Sequence, residues 1–207
     1  MNKEYRNILI VRTDRIVDVI LTTPVIQALR TAFPRSRIAM MVAPPCRELV
    51  EGNPYLDEVI VDDKKNKHKG GWGTWKLVRQ LRRKKFDVAV ILHTKHRTNL
   101  ICFLAGIPIR VGYENEKFGF LLTKKLRDTR PWGIKHESEY CLDVARAMGA
   151  GSGSPKIFMP IKDEAKAWLK TWRTSKKLLL NKQKTTSQFS SKILRRFNTD
   201  MPFVMEP

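Results

Sequence analysis

The chain has 207 residues, 40 lysines and arginines against 20 aspartates and glutamates, and a formal net charge of +20. That length suits one domain, or one and a fraction, and 42% hydrophobic residues supply a core, which excludes a wholly disordered polycation. Three scattered cysteines with no CxxC pair, no apolar run near the roughly 20 residues that span a bilayer, and a polar start without a signal peptide fit a soluble protein of a reducing cytosol.

Asn7–Arg12 is an apolar, β-branched run, the pattern of a strand buried on both faces. A polar turn, Thr13–Arg15, leads into a helical pattern that runs to Phe33. Its apolar face is Ile16, Val19, Ile20, Val25, Ile26, Leu29 and Phe33, and Pro24 is expected to kink or restart it. Arg37–Val42 predicts a second strand, Cys46–Glu51 a short helix, and Glu58–Val61 a third strand ending at Asp62–Asp63. Lys64–Gly73 reads as an exposed loop and Trp75–Lys84 as a helix with Leu77, Val78 and Leu81 inward. Val88–Leu92 predicts a fourth buried strand, Asn99–Ala105 a short helix, Ile109–Gly112 a fifth strand and Glu137–Met148 a further helix. Alternating strands and helices predict an α/β fold: a Rossmann-like parallel sheet with helices on both faces. Ligands of such sheets lie beyond the carboxyl ends of the strands, which puts Arg12–Asp18, Asp62–Lys69 and His93–Thr98 around one crevice.

Gly149–Pro155 has the composition of a flexible linker. Asp163–Trp172 reads as one more helix, and Ser175–Pro207 loses apolar periodicity. The expected organisation is a domain at 1–160 followed by a helix and a basic, disordered or non-native tail at 161–207. From Lys162 onward there are 11 basic and 4 acidic residues, so the excess charge is spread along the chain. It admits three partners: nucleic acid, an anionic membrane surface or a phosphorylated substrate.

The turn Arg12-Thr13-Asp14-Arg15-Ile16-Val17-Asp18 is the sharpest chemical feature, with two carboxylates and two guanidiniums at the sheet edge. Asp18, near a helix N-terminus that favours negative charge, could take a proton from a substrate hydroxyl; alternatively Asp14 or Asp18 merely caps the helix. His93 and Lys95 follow the fourth strand and are either ligand contacts for phosphate or carboxylate groups or solvated loop residues. His93 and His96 at i, i+3 are a weak metal signal, and no metal site is expected. Lys64–Lys69 and Arg82–Lys85 (RRKK) are solvated faces or attract an anionic leaflet. Trp72, Trp75, Trp132, Trp168 and Trp172 read as packing or interface residues.

Ile8–Pro24 (ILIVRTDRIVDVILTTP) resembles the opening of glycosyltransferase family 9, the lipopolysaccharide heptosyltransferases. Met41–Arg47 (MVAPPCR), Phe86–Leu92 (FDVAVIL) and Phe103–Gly112 (FLAGIPIRVG) continue the likeness in order, with Phe103–Leu122 most similar to the heptosyltransferase II branch. The resemblance implies the N-terminal, acceptor-binding domain of a GT-B fold, with Asp18 as base and an inverting transfer of heptose from ADP-heptose to the lipopolysaccharide inner core. It implies contacts to the acceptor from Arg12, Thr13, Asp14, Arg15, His93, Lys95, Arg110 and His136, though Arg110 could be structural and His136 a helix cap. No resident cofactor is implied, ADP-heptose being a substrate. The expected partners are the glycolipid core acceptor, the nucleotide-sugar donor and the inner-membrane surface, in the cytoplasm.

Two departures stand out. Val17 occupies the position before Asp18 where the family usually has Gly, and a β-branched residue there would misplace Asp18 if the backbone were strained. Nothing after Pro160 resembles the family's donor domain. The sequence therefore predicts a truncated copy of doubtful activity, with an inactive acceptor-binding fragment as the alternative. A nucleic-acid protein is the remaining class, disfavoured because no helix-turn-helix, zinc finger or RNP motif is present; a nicotinamide enzyme is disfavoured because the first turn lacks GxGxxG.

Overall fold

The computed structural model describes residues 4–174, apart from 94, 152, 154, 155, 161 and 162. The chain forms two compact units, 1–160 and 161–207. In the first, six strands alternate with helices: β1 (Asn7–Val11), α1 (Ile16–Ala32), β2 (Arg37–Val42), α2 (Arg47–Val50), β3 (Glu58–Val61), α3 (Gly70–Arg83), β4 (Val88–Ile91), α4 (His96–Leu104), β5 (Ile109–Tyr113), β6 (Lys124–Leu126) and α5 (Glu137–Arg146). The sheet is parallel throughout, in the order β3-β2-β1-β4-β5-β6. Strand order reverses where β1 lies between β2 and β4, the switch point beside which such sheets bind ligands.

The buried-on-both-faces pattern of β1 has a direct structural counterpart. Ile8 and Ile10 point into a core with Val19, Ile26 and Leu29 of α1 and Val144 of α5. Leu9 and Val11 point into the opposite core with Leu77 and Leu81 of α3 and Ile101 of α4. All four strand residues are fully buried, at roughly 1.5–3 kcal/mol of transfer free energy for each large side chain. Between β4 and β5, the glycine of the RVG segment is required by close approach. A Cβ on Gly112 would come 2.7 Å from Ile91 O.

Several elements differ from the sequence expectation. Helix α1 is continuous through Pro24, which neither ends nor restarts it. The proline leaves the Ile20 carbonyl without its i+4 donor, and the Thr23 hydroxyl supplies one at 2.8 Å. Ile16 does not join the apolar face; it is exposed, and Ile20 is half-buried. Helix α3 begins at Gly70, five residues before the expected Trp75, so the supposed loop through Gly73 ends in a helical turn. That turn packs so closely that a Cβ on Gly73 would meet the His68 backbone carbonyl carbon at 2.5 Å. His68, expected to be exposed, is buried. Helix α4 begins at His96 rather than Asn99, and β6 was not anticipated.

In the second unit residues 163–174 are helical and exposed, with Trp168 and Trp172 stacked at a centroid separation of 6.3 Å. The expectation for Ser175–Pro207 falls outside the described residues. Among the described residues no helix is long and apolar enough to cross a membrane.

Candidate functional site

A cleft of about 580 Å³ opens at the carboxyl edge of the sheet. Four loops build it. Thr13, Asp14, Arg15 and Asp18 come from the β1–α1 turn, Ala43–Pro45 follow β2, Asp62–Asn66 follow β3, and His93 and Lys95 follow β4.

Arg12 does not line the cleft. It lies beneath it, 3% exposed, as the hub of an ion network. Its Nε donates to Asp14 Oδ1 at 2.8 Å, Nη1 to Glu137 Oε1 at 2.9 Å and to Leu92 O at 3.2 Å, and Nη2 is 3.4 Å from Asp18 Oδ1. One buried guanidinium thus faces three carboxylates, two from the first turn and one from the start of α5. Such a fork fixes carboxylates in direction as well as distance. Asp18, in the first turn of α1, keeps 29% of its side chain exposed and turns it to the cleft. Capping does not account for either aspartate: Arg15 occupies the N-cap of α1, and no side chain caps that end.

Burial raises the pKa of Asp14 above the usual carboxylate value, with Asp18 adding to the effect and Arg12 opposing it. His93 is pushed down to about 3 by burial and then by Lys95, Arg12, Arg130 and Lys117. Its Nδ1 approaches Asp14 Oδ2 at 3.4 Å without a hydrogen bond. A neutral ring therefore meets a carboxylate there, so His93 could contact a ligand in the cleft only as an uncharged hydrogen-bonding group. Cationic character in the cleft comes from Arg15, Lys64, Lys65 and Lys95.

The lysine-bearing loop after β3 is tied down from behind. Asp62, buried, accepts from Arg97 Nε at 3.0 Å and from Arg97 Nη2 at 2.9 Å, and Arg97 also donates to His68 O and Thr74 Oγ1. A second cavity of about 540 Å³ shares His93 and is lined by Asn115–Lys117, Asp128, Arg130 and Pro131.

Besides Arg12, two more of the anticipated contacts lie outside the cleft lining. Arg110 donates to Leu121 O at 2.6 Å and to Ile107 O, and its guanidinium stacks on Phe103, so it braces the end of α4. His136 caps α5, its Nδ1 accepting from Ser138 N at 3.3 Å. His96, paired with His93 as a weak metal signal, packs edge-on against Phe118. Among the described residues no group of three or more His, Cys, Asp and Glu could hold a metal ion. Val17 is helical, has no positive φ, is 63% exposed and does not line the cleft, so the feared strain before Asp18 is absent.

Arg130 was not singled out from the sequence, and Glu137 only beside His136 as an acceptor contact or helix cap, not as a partner of Arg12. Glu137 meets Arg12 across 125 positions, a distance at which spacing carries no signal. Arg130 follows an unread stretch, although its bidentate neighbour Asp128 stands only two residues away.

A six-stranded parallel sheet in this order, with a carboxylate-bearing cleft at its switch point, is the architecture of one domain of a GT-B glycosyltransferase. No family model matches the chain. Lipopolysaccharide heptosyltransferase 2 of Escherichia coli is 27% identical over 131 residues, covering 63% of this chain and 38% of that protein. A solved glycosyl transferase of family 9 from Veillonella parvula aligns with TM-score 0.76 and 29% identity, over 84% of this chain and 51% of its own. The solved E. coli ADP-heptose lipopolysaccharide heptosyltransferase II shares the fold at TM-score 0.63 and 21% identity, over 78% of this chain and 49% of its own. The chain is thus similar to glycosyltransferase family 9 heptosyltransferases, which are enzymes, and spans about half the length of the solved ones.

Proposed function

We propose that the cleft holds a sugar acceptor of the lipopolysaccharide inner core and presents one of its hydroxyls to Asp18 for inverting transfer of heptose from ADP-heptose. The observation that carries this reading is the Arg12 hub: from beneath the cleft it grips Asp14 and Glu137 closely and leaves the more exposed Asp18 carboxylate facing the cavity. The acceptor oxygen attacks the anomeric carbon as Asp18 takes its proton; the bond from that carbon to the diphosphate breaks, and ADP leaves. Lys64, Lys65 and Lys95 offer charge to acidic sugars or phosphates of the acceptor. Arg97, gripping Asp62, fixes the loop that carries the first two. Much of the rate would come from holding two substrates in register. The reaction uses ADP-heptose as a substrate and needs no resident cofactor. An acceptor carried on lipid A places the work at the cytoplasmic face of the inner membrane, with the protein bound peripherally.

Purified protein is incubated with ADP-heptose and a Kdo-bearing acceptor, and ADP release is followed. Asp18→Asn should lower turnover by roughly 10²–10⁴-fold, the usual contribution of a general base. Turnover unaffected by that change would refute the assignment of Asp18. Saturable acceptor binding with no ADP release from the unaltered chain would instead give it the second role, that of an acceptor-binding half.

A further inference from the structure

Helix α3 buries Gly73, Leu77, Val78 and Leu81 and turns Trp72, Trp75, Arg79, Arg82 and Arg83 to solvent. Trp75 and the three arginines line a groove of about 510 Å³. Arg82 is fixed in it: its Nη2 donates to Leu104 O at 2.6 Å, and its guanidinium lies 5.7 Å from the centroid of the Trp75 ring. Arg79 and Arg83 have no ion pair and no hydrogen bond among the described residues, and no carboxylate lines the groove. Three guanidiniums around one concavity repel one another until an anion enters.

The apolar groups beside them narrow the choice of anion. Trp72 is 73% exposed, Trp75 44% and Phe103 of α4 47%. Phe103 precedes the residue whose carbonyl Arg82 holds, and it carries the Arg110 guanidinium 5.4 Å from its ring centroid. Indole rings beside arginines on an amphipathic helix are the pattern of a surface that settles into a headgroup layer. A nucleic-acid backbone would neutralise the arginines but leave Trp72 and Phe103 in water.

We infer that the outer face of α3, with Phe103 beside it, docks the protein on a bilayer rich in anionic phospholipid, its arginines taking headgroup phosphates and Trp72 and Trp75 entering the interface. This deepens the membrane-surface reading given above, but it rests on a face whose residues do not line the cleft, and vesicles free of glycolipid test it separately from catalysis.

The full chain is co-sedimented with vesicles of phosphatidylcholine containing phosphatidylglycerol and with vesicles of phosphatidylcholine alone. Binding should require the anionic lipid and weaken as salt rises. Arg79→Gln with Arg83→Gln should lower partitioning about 25-fold, at about fivefold per arginine near an anionic surface. Both side chains are solvent-facing and unbonded, so the circular dichroism spectrum and melting temperature should not move. Trp72→Ser should weaken vesicle binding while leaving its salt dependence intact. Asp18→Asn should bind vesicles as the unaltered protein does, so a failed ADP-release assay leaves this result standing. Equal binding to neutral vesicles would overturn the inference, and so would unchanged binding by the double arginine variant. Duplex DNA that displaces the vesicles and loses affinity to the same substitutions would also overturn it, making the face a nucleic-acid surface.

Discussion

Arginines serve opposite ends in the cleft and on α3. Around the cleft three of them grip carboxylates: Arg12 meets Asp14, Asp18 and Glu137, Arg97 meets Asp62, and Arg130 meets Asp128, while Arg15 lines the opening with its charge unspent. On α3, Arg79, Arg82 and Arg83 share a groove without one. A buried, paired guanidinium spends its charge inside the molecule and gains direction from it, holding loops and carboxylates in place. An exposed, unpaired one keeps its charge for whatever arrives. The two regions of this basic chain therefore respond differently to mutation and to pH.

Arg12→Gln gives the widest separation between them. It leaves Asp14 and Glu137 without their cation in a part-buried site, and breaking such a network typically costs about 3–5 kcal/mol. Arg79→Gln, which breaks no bond, should stay within about 0.5 kcal/mol of the unaltered protein. Urea unfolding of both variants measures the contrast. Similar small losses for the two would show that the hub is not held together as the geometry indicates.

pH sharpens the same contrast. His93 has a folded pKa of about 3, lowered from 6.5, so between those values the unfolded chain binds the extra proton. Its contribution to stability is present above the unfolded pKa and is lost as pH falls. Asp14, raised by burial first, works in the other direction and gains stability as pH falls through the carboxylate range. His93→Gln should therefore remove about 1–2 kcal/mol of the loss between pH 7 and pH 5, after allowance for solvent screening of a partly exposed ring. Unfolding midpoints of the two proteins at those pH values measure it. Arg79→Gln, which touches neither His93 nor Asp14, should run parallel to the unaltered protein across the range.

How much of this was legible in the sequence follows from how local each cause is. The strands β1 and β4 were legible because Ile8–Val11 and Val88–Ile91 must be apolar on both faces. The first turn announced itself by four charges in seven residues. The start of α3 was hidden because Gly70, Gly71 and Gly73 read as loop, whereas the third is demanded by contact with His68, a tertiary fact. Pro24 misled for a similar reason, since its missing hydrogen bond is replaced by a neighbouring hydroxyl rather than by a break. β6, three residues reading Lys124-Lys125-Leu126 on the sheet's edge, has no hydrophobic pattern to show. Glu137's part in the hub depends wholly on α5 packing against α1, and the unpaired state of Arg79 and Arg83 depends on what failed to come near them.

Val17 marks where the sequence raised a doubt that the backbone answers. Its residue type departs from the family's glycine, and glycine is required where φ is positive or where another group must touch the backbone. Neither condition appears here: Val17 lies in the first turn of α1 with ordinary helical geometry and points to solvent beside, not into, the cleft. Val17→Gly should therefore act as a helix substitution alone, costing about 0.5 kcal/mol through backbone entropy, with acceptor affinity unchanged in a titration. A tenfold gain in affinity would show that the acceptor does press against this turn, and that the valine, by keeping it away, sets which acceptor the cleft admits.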